Sequence, residues 1–340
     1  MRVALRLTAI AAVGSVAAGV AIAVAVPSGP PTLSGGDSAL AAARRAAARR
    51  AADARATPTP QKAQATPPKA TPSAPSAGVQ VTGSPSGVKA RGGVLVNAAT
   101  GGMLWSRDLD TERPIGSITK VMTALVVIRA GTLDRQIKVP AAVIPYVDKY
   151  QADSAGLHPG DVLSTQELLE AMLLPSGCDA AYTLATAYGP GIPAFLAKMN
   201  ATAQQLGMTH THFTSPDGLP YPTETSTFST PADLVTLGLA AMKLPVFRSI
   251  VAQQIYQIPK GPGHHHYWWD NTNDLIGSYP GADGIKTGYT TAALHCLLFE
   301  ASRDGLTLIG DVLGSPATGP ASGAQAAARV LNWGFSLRRD

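Results

Sequence analysis

Three short segments hold residues whose types and spacing can do chemistry. Ser117-Ile118-Thr119-Lys120 puts a hydroxyl and an amine three positions apart. On a helix, residues i and i+3 share a face and can touch. A serine hydroxyl is a poor nucleophile until a base takes its proton, and a lysine partly desolvated by a buried helix is neutral enough to serve. At the first turn of such a helix the Ser117 N–H and the helix dipole would also face a developing oxyanion. Alone this is weak, because Ser is a common helix cap and a Ser-x-x-Lys arises about once by chance in a chain this long. The second segment, Ser176-Gly177-Cys178, follows Pro175 in a break between two helical stretches. A hydroxyl there can face the same cleft, although Ser-Gly is also ordinary turn chemistry. The third, Lys286-Thr287-Gly288, falls in a strand pattern. A cation, a hydroxyl and a position without a side chain can bind a carboxylate and let an extended peptide pair along a sheet edge. A lone edge Lys also serves against aggregation.

The elements that must position these residues are legible. Gly92 to Val96 and Met103 to Trp105 flank a Gly-containing turn and read as a hairpin. A helix is predicted from near Ser117 to Gly131. It is apolar nearly all round, so it should be central and buried. Ser164 and Glu167 form a capping box ahead of a helix that Pro175 ends, and Thr230-Pro231-Ala232-Asp233 opens another. Gly284 to Tyr289, His295 to Ser302 and Leu306 to Leu313 read as strands, and a helix from about Ser322 to Leu337 closes the chain. Strands at both ends with helices between predict an antiparallel sheet completed by both ends of the domain and covered by helices.

Order and spacing strengthen the three segments together: Ser176 comes 59 residues after Ser117, and Lys286 another 110 residues on. The sequence resembles the D-alanyl-D-alanine carboxypeptidase family, low-molecular-mass penicillin-binding serine DD-peptidases. The likeness runs through Ser117 to Leu125, His212-Phe213-Thr214-Ser215-Pro216-Asp217-Gly218-Leu219, Asn271-Thr272-Asn273 and Tyr279 to Thr290, and covers about residues 92–340. It implies an α/β (α+β), penicillin-binding protein/β-lactamase-like fold, with a five-stranded antiparallel sheet flanked by helices plus a helical subdomain. It also implies roles. Ser117 is the acyl-enzyme nucleophile, Lys120 its general base, and Ser176 the relay towards the leaving D-alanine amine. Lys286 and Thr287, with Gly288 and Cys178, bind substrate, and the backbone N–H groups of Ser117 and Tyr289 form the oxyanion hole. The implied partners are a peptidoglycan stem peptide ending in D-Ala-D-Ala and, as covalent inhibitor, a β-lactam. No cofactor or metal is expected.

Two departures stand out. The family usually has Asn where this chain has Cys178, and a thiol offers only weak versions of an amide's hydrogen bonds. Cys178 is alternatively a reactive thiol, or one half of a disulfide with Cys296. Leu294 stands where the family commonly has Gly. His264-His265-His266, followed by Tyr267-Trp268-Trp269, reads as a loop beside the cleft rather than a metal site, because no other ligand is suitably spaced in sequence. His210 and His212 read as part of a turn under Pro216-Asp217-Gly218, and Asp217 and Asp233 as turn and cap residues. The nearest rival enzyme, a class A β-lactamase, needs a Glu-x-x-Leu-Asn segment that is absent between Cys178 and Lys286. Other rivals are a DD-transpeptidase using an amine acceptor and a catalytically weak wall-binding or β-lactam-sensing module.

Composition divides the 340 residues in two. All 19 aromatic residues lie at or after Trp105. Residues 1–91 carry 11 Lys/Arg against Asp37 and Asp53, a net of +9, while the other 249 carry 16 basic and 20 acidic side chains, a net of −4. The basic excess therefore sits outside the part able to build a core, which argues against a nucleic-acid-binding domain. Arg2 and Arg6 precede an uncharged run from Leu7 to Val26 that ends in Ala23-Val24-Ala25. Its length suits a membrane anchor and its Ala-x-Ala suits a cleaved signal peptide. Either reading puts the rest of the chain outside the cytoplasm, anchored to the cell membrane or secreted to the wall. Residues 27–91, rich in Ala, Pro and Arg, read as a linker, with a helix-prone stretch from Ser38 to Ala56. The domain is expected at 92–340.

Overall fold

The structure is a computed structural model that describes residues 83–316 and 322–337. The expected signal or anchor, most of the linker and its Ser38–Ala56 helix lie outside the described residues. Gly92–Asn97 (β1) and Met103–Arg107 (β2) form the predicted hairpin. After Arg113–Pro114 (β3), a 3-10 turn over Gly116–Ile118 leads into the helix Thr119–Arg129 (α1). The predicted helix therefore begins with one tighter turn, and Ser117 sits in it. Eight of the eleven α1 residues are buried, Lys120 among them. A helix with no polar face gains stability only when it is enclosed on all sides, as the sequence predicts.

The chain next builds a helical lobe. Gln136–Lys138 (β4) pairs with Val162–Ser164 (β5), and Val143–Tyr150 (α2) lies between them in sequence. Thr165–Leu173 (α3) opens with the expected capping box: Ser164 Oγ accepts from Glu167 N while the Glu167 carboxylate takes Ser164 N at 2.7 Å. Cys178–Tyr188 (α4) and Ile192–Gln205 (α5) follow, then Phe228–Ser229 (β6), Pro231–Met242 (α6), capped by Thr230, and Pro245–Val251 (α7). Ile255–Ile258 (β7) and Tyr267–Asp270 (β8) form a second hairpin.

Ala282–Thr290 (β9), Leu294–Arg303 (β10) and Leu306–Ser315 (β11) complete a five-stranded antiparallel sheet in the order β2-β1-β11-β10-β9. Both faces are covered, so its central strands read as continuous apolar runs rather than alternating ones. Leu308 and Val312, with Leu95 and Phe299, face Ser322–Ser336 (α8), which contributes Leu331, whereas Ile309 and Leu313 join the larger core around α1, α3 and α6. The chain joins the fold ahead of Gly92. Val88 and Ala90 are buried under α8, and Arg107 Nη1 donates to both their carbonyls, at 2.8 and 2.9 Å. A sparse apolar pair inside a polar stretch gives no periodic signal, so composition alone assigns it to the linker. Among the described residues no single helix is long and apolar enough to cross a membrane.

Candidate active site

Backbone constraints set the site before any side chain does. Gly116 has φ +52°, and a Cβ there would come 2.8 Å from Tyr289 N, so only glycine lets the turn holding Ser117 press against β9. Gly288 matters in the same way: its Cβ would lie 2.3 Å from Ile115 O. These two glycines bring the turn holding Ser117 and the Lys286 strand into backbone contact.

Lys120 Nζ donates to Ser117 Oγ at 2.8 Å, the expected i,i+3 pairing. It also lies 3.4 Å from Ser176 Oγ, 3.3 Å from Cys178 Sγ and 3.3 Å from the Asp217 carbonyl oxygen. An ammonium has three donors, so four acceptors compete for them; a neutral amine has a lone pair free to take a proton. Either serine hydroxyl can exchange a proton with this one nitrogen. Ser176 is buried with φ +67°, a left-handed backbone that costs a non-glycine residue about 1 kcal/mol. It is held there by neighbours: Gly177 N donates to Ala171 O, and Cys178 N to Asp153 O at 2.9 Å.

The cleft wall formed by residues 153–157 hangs on one buried carboxylate. Asp179 accepts from Ala155 N, Leu157 N and Ser154 Oγ at 2.9, 3.0 and 2.6 Å. Trp269 Nε1 adds a bond to Ala155 O from β8. Opposite, Lys286 is buried on β9 and donates to Thr287 Oγ1 at 3.1 Å, which in turn meets Thr272 Oγ1 at 2.8 Å. Burial, and then repulsion from Lys120, pushes Lys286 down to about 7. A cation so desolvated gains from any anion that enters. The cavity between the walls measures about 320 Å³ and is lined by Ser117, Ser176, Thr287, Gly288 and Tyr289. Tyr289 is exposed, and its ring packs on His295 with centroids 4.7 Å apart.

Several expectations need correction. Cys178 is buried against Lys120 and does not line the cavity. Burial pushes its thiol up to about 12, against the pull of Lys120, so it is a neutral group rather than a reactive thiolate. No disulfide joins it to Cys296: both are free. The Cys296 thiol instead lies against Ala293 O and accepts Gly314 N. His264–His266 sit on the β7–β8 connection, away from the catalytic cavity. His265 Nδ1 meets Asp161 at 3.0 Å and its ring stacks on His158, while His264 lines a separate cavity of about 630 Å³. The tertiary fold supplies the Asp161 partner that spacing along the chain hides. Among the described residues no cluster of three or more His, Cys, Asp or Glu side chains is arranged to hold a metal. The His210 ring turns towards Glu112 instead of packing under Asp217, and the His212 backbone pairs with Phe228. Leu294 has φ +57°, which accounts for glycine being usual at that position.

Asp217 is the turn residue the sequence predicts, but its link to Tyr146 and the contact of its carbonyl with Lys120 were not legible there. The Tyr146 hydroxyl donates to Asp217 Oδ2 at 2.8 Å and Leu219 N donates to Oδ1, which holds the turn whose carbonyl meets Lys120. Burial and the Asp217 charge push the Tyr146 phenol up, keeping it a donor. Thr123 Oγ1 ties the same turn to α1 through Pro216 O. The only sequence signal is the Pro216-Asp217-Gly218 turn, and nothing local links it to a tyrosine 71 residues earlier.

The profile of the D-alanyl-D-alanine carboxypeptidase family matches residues 79–317. A D-alanyl-D-alanine carboxypeptidase of Streptomyces sp. strain K15 is 39% identical over 262 residues, covering 74% of this chain and 88% of its own. A second, DacB2 of Mycobacterium tuberculosis, is 37% identical over 247 residues, covering 72% and 81%. The crystal structure of the Streptomyces K15 DD-transpeptidase superposes with a TM-score of 0.69 at 39% identity, covering 73% of this chain and 98% of that one. The family profile spans most of the chain and the relatives match it over nearly three quarters of its length: this chain belongs to the D-alanyl-D-alanine carboxypeptidase family of serine peptidases.

Proposed function

We propose that this enzyme removes the terminal D-alanine from peptidoglycan stem peptides through an acyl-enzyme. One observation carries the reading: Lys120 Nζ lies within hydrogen-bonding distance of both Ser117 Oγ and Ser176 Oγ beside a cavity bounded by the Lys286 strand. Lys286 and Thr287 hold the substrate's terminal carboxylate, and the side-chain-free edge at Gly288 lets its backbone pair with β9. Lys120 takes the Ser117 proton as Oγ attacks the penultimate D-alanine carbonyl. The N–H groups of Ser117 and Tyr289 stabilise the tetrahedral oxyanion. Lys120 then returns the proton through Ser176 to the departing amine, leaving the acyl group on Ser117. Water releases it. A β-lactam enters by the same first step, and without a class A deacylating glutamate the adduct persists.

Transfer to an amine is the second reading, favoured by the K15 relative, which bears the name carboxypeptidase as a sequence and transpeptidase as a structure. Mass spectrometry of a D-Ala-D-Ala peptide, with and without an amine acceptor, separates the two. Free D-alanine without acyl transfer selects the carboxypeptidase; crosslinked product selects the transpeptidase. Fluorescent penicillin labels the wild type and not Ser117→Ala, and a folded protein that takes no label overturns both readings in favour of a wall-binding or β-lactam-sensing module. Residues 1–26 act as signal peptide or membrane anchor and the residues from 27 to about 87 as a linker to a catalytic domain outside the cytoplasm, which begins near the buried Val88.

A further inference from the structure

Asn271-Thr272-Asn273, between β8 and β9, is among the segments that carry the family likeness, yet acyl transfer as derived from Ser117, Lys120, Ser176 and Lys286 uses none of it. Its backbone is clamped on both sides. Asn271 N donates to Gln254 O, the Asn271 amide donates to Val251 O and Gln253 O, and Asn271 Oδ1 accepts Asn273 N. Asn273 is buried, with Oδ1 accepting Leu275 N. Of the three residues only Thr272 lines the catalytic cavity, and it is exposed there. Thr272 joins the two sides of the cleft. Its N–H and its hydroxyl both donate to Leu174 O, at 3.0 and 3.2 Å, two residues before Ser176, and its Oγ1 lies 2.8 Å from Thr287 Oγ1.

Counting protons sets the direction of this chain, because each hydroxyl has one to give and an ammonium only donates. Protonated Lys286 donates to Thr287 Oγ1 at 3.1 Å, and Thr272 is directed to Leu174 O, so the Thr287 proton must fill the contact between the two threonines. Thr287 then has no proton left for a substrate carboxylate, which can only accept. It must turn its proton towards the substrate, and two hydroxyl oxygens 2.8 Å apart with no proton between them repel. The contact survives when Thr272 turns its own proton from Leu174 O to Thr287. Leu174 is fully buried, and its carbonyl keeps the bond from Thr272 N, so the turn leaves no buried acceptor empty. We propose that Thr272 is a positioning residue for carboxylate recognition: substrate entry reverses the two-hydroxyl chain, so that Thr272 donates to Thr287 Oγ1 while Thr287 donates to the carboxylate. Hydroxyls linked in this way polarise one another, and the bond to the substrate is the stronger for it. The inference rests on the reading that Lys286 and Thr287 hold the substrate's terminal carboxylate.

Isothermal titration of the full chain carrying Ser117→Ala, with a peptide ending in D-Ala-D-Ala and with the same peptide as its terminal carboxamide, tests this. Adding Thr272→Val keeps the side-chain shape and the N–H bond to Leu174 O but removes the hydroxyl. It should weaken the carboxylate peptide about fivefold and leave the carboxamide within twofold. Thr272→Ser returns the hydroxyl and should bind both peptides within twofold of the parent, which a merely structural role for the threonine methyl would not give. Thr287→Val in the same background separates two failures. Unchanged carboxylate binding by Thr287→Val overturns the assignment of the carboxylate to Lys286 and Thr287, and this proposal with it. Weaker binding by Thr287→Val beside unchanged binding by Thr272→Val overturns the role of Thr272 alone. Equal losses for carboxylate and carboxamide in Thr272→Val, or a Thr272→Ser as weak as Thr272→Val, likewise overturn it.

Discussion

Lys286 gives the sharpest prediction. Its ammonium is buried on β9, where it donates to Thr287 Oγ1, and burial together with Lys120 lowers it from an ordinary 10.5 to about 7. If it holds the substrate carboxylate, the free enzyme must carry that proton to bind. The protonated fraction falls from about nine-tenths at pH 6 to about one-hundredth at pH 9, so Kd should rise about 90-fold over that range, or about 2.7 kcal/mol. The measurement uses Ser117→Ala, which cannot acylate, titrated with a peptide ending in D-Ala-D-Ala; this separates binding from proton transfer by Lys120. Lys286→Arg keeps its charge throughout and should give a flat profile. The same peptide with a carboxamide terminus should bind weakly at every pH. A Kd that changes less than threefold between pH 6 and 9, or an equal slope for the carboxamide, would refute the assignment of Lys286 to the carboxylate.

Three further outcomes follow from buried groups. Both thiols are pushed up to about 12 by burial, leaving a thiolate fraction of about one in ten thousand at pH 8. A thiol reagent should therefore find two groups after denaturation and modify neither at a comparable rate in the native protein; fast native modification of Cys178, or fewer than two thiols after unfolding without reductant, contradicts the structure. Glu170, on α3, is raised from 4.5 to about 7 by burial, against its bonds from Gln253 and Gln166. The folded state holds this proton more tightly than the unfolded one, so up to about 3 kcal/mol of stability is present below pH 4.5 and is lost as pH rises through 7. Urea titrations of Glu170→Gln should lack that decline, and a slope matching wild type would remove Glu170 as its cause. Tyr146→Phe withdraws one donor from buried Asp217 and should cost about 1 to 3 kcal/mol by urea unfolding. It should also slow penicillin acylation through the loosened Lys120 acceptor; an unchanged acylation rate separates Tyr146 from the positioning of Lys120.

Much of this molecule is written in short-range pattern. The capping box at Ser164, the proline after α3, the uninterrupted apolar run of α1 and the strand patterns of β9, β10 and β11 each follow from interactions within one or two turns of the chain. The Ser117–Lys120 contact follows too, because i and i+3 on a helical segment are neighbours whatever surrounds them. What local pattern does not carry is any partner fixed by packing. Asp217 reaches Lys120 through its carbonyl and Tyr146 through its carboxylate, and neither contact has a sequence period. Asp161 and His265 lie 104 residues apart, and meet where the start of β5 bonds to the β7–β8 connection, Val162 N donating to Gly263 O. The cysteines, which spacing leaves free to pair, are directed to different neighbours by the elements that carry them.

The sequence by itself therefore determined the order of elements, the contact between Ser117 and Lys120, and the separation of a basic, aromatic-free amino-terminal segment from a mildly acidic domain. Each of these depends on residue type and local geometry alone. The tertiary structure decided that Lys286 is desolvated enough to sit near neutrality and that Cys178 is a silent neighbour of Lys120. Burial and charge proximity are properties of the packed interior, where side chains distant in sequence displace water from one another, and only the folded chain brings them there.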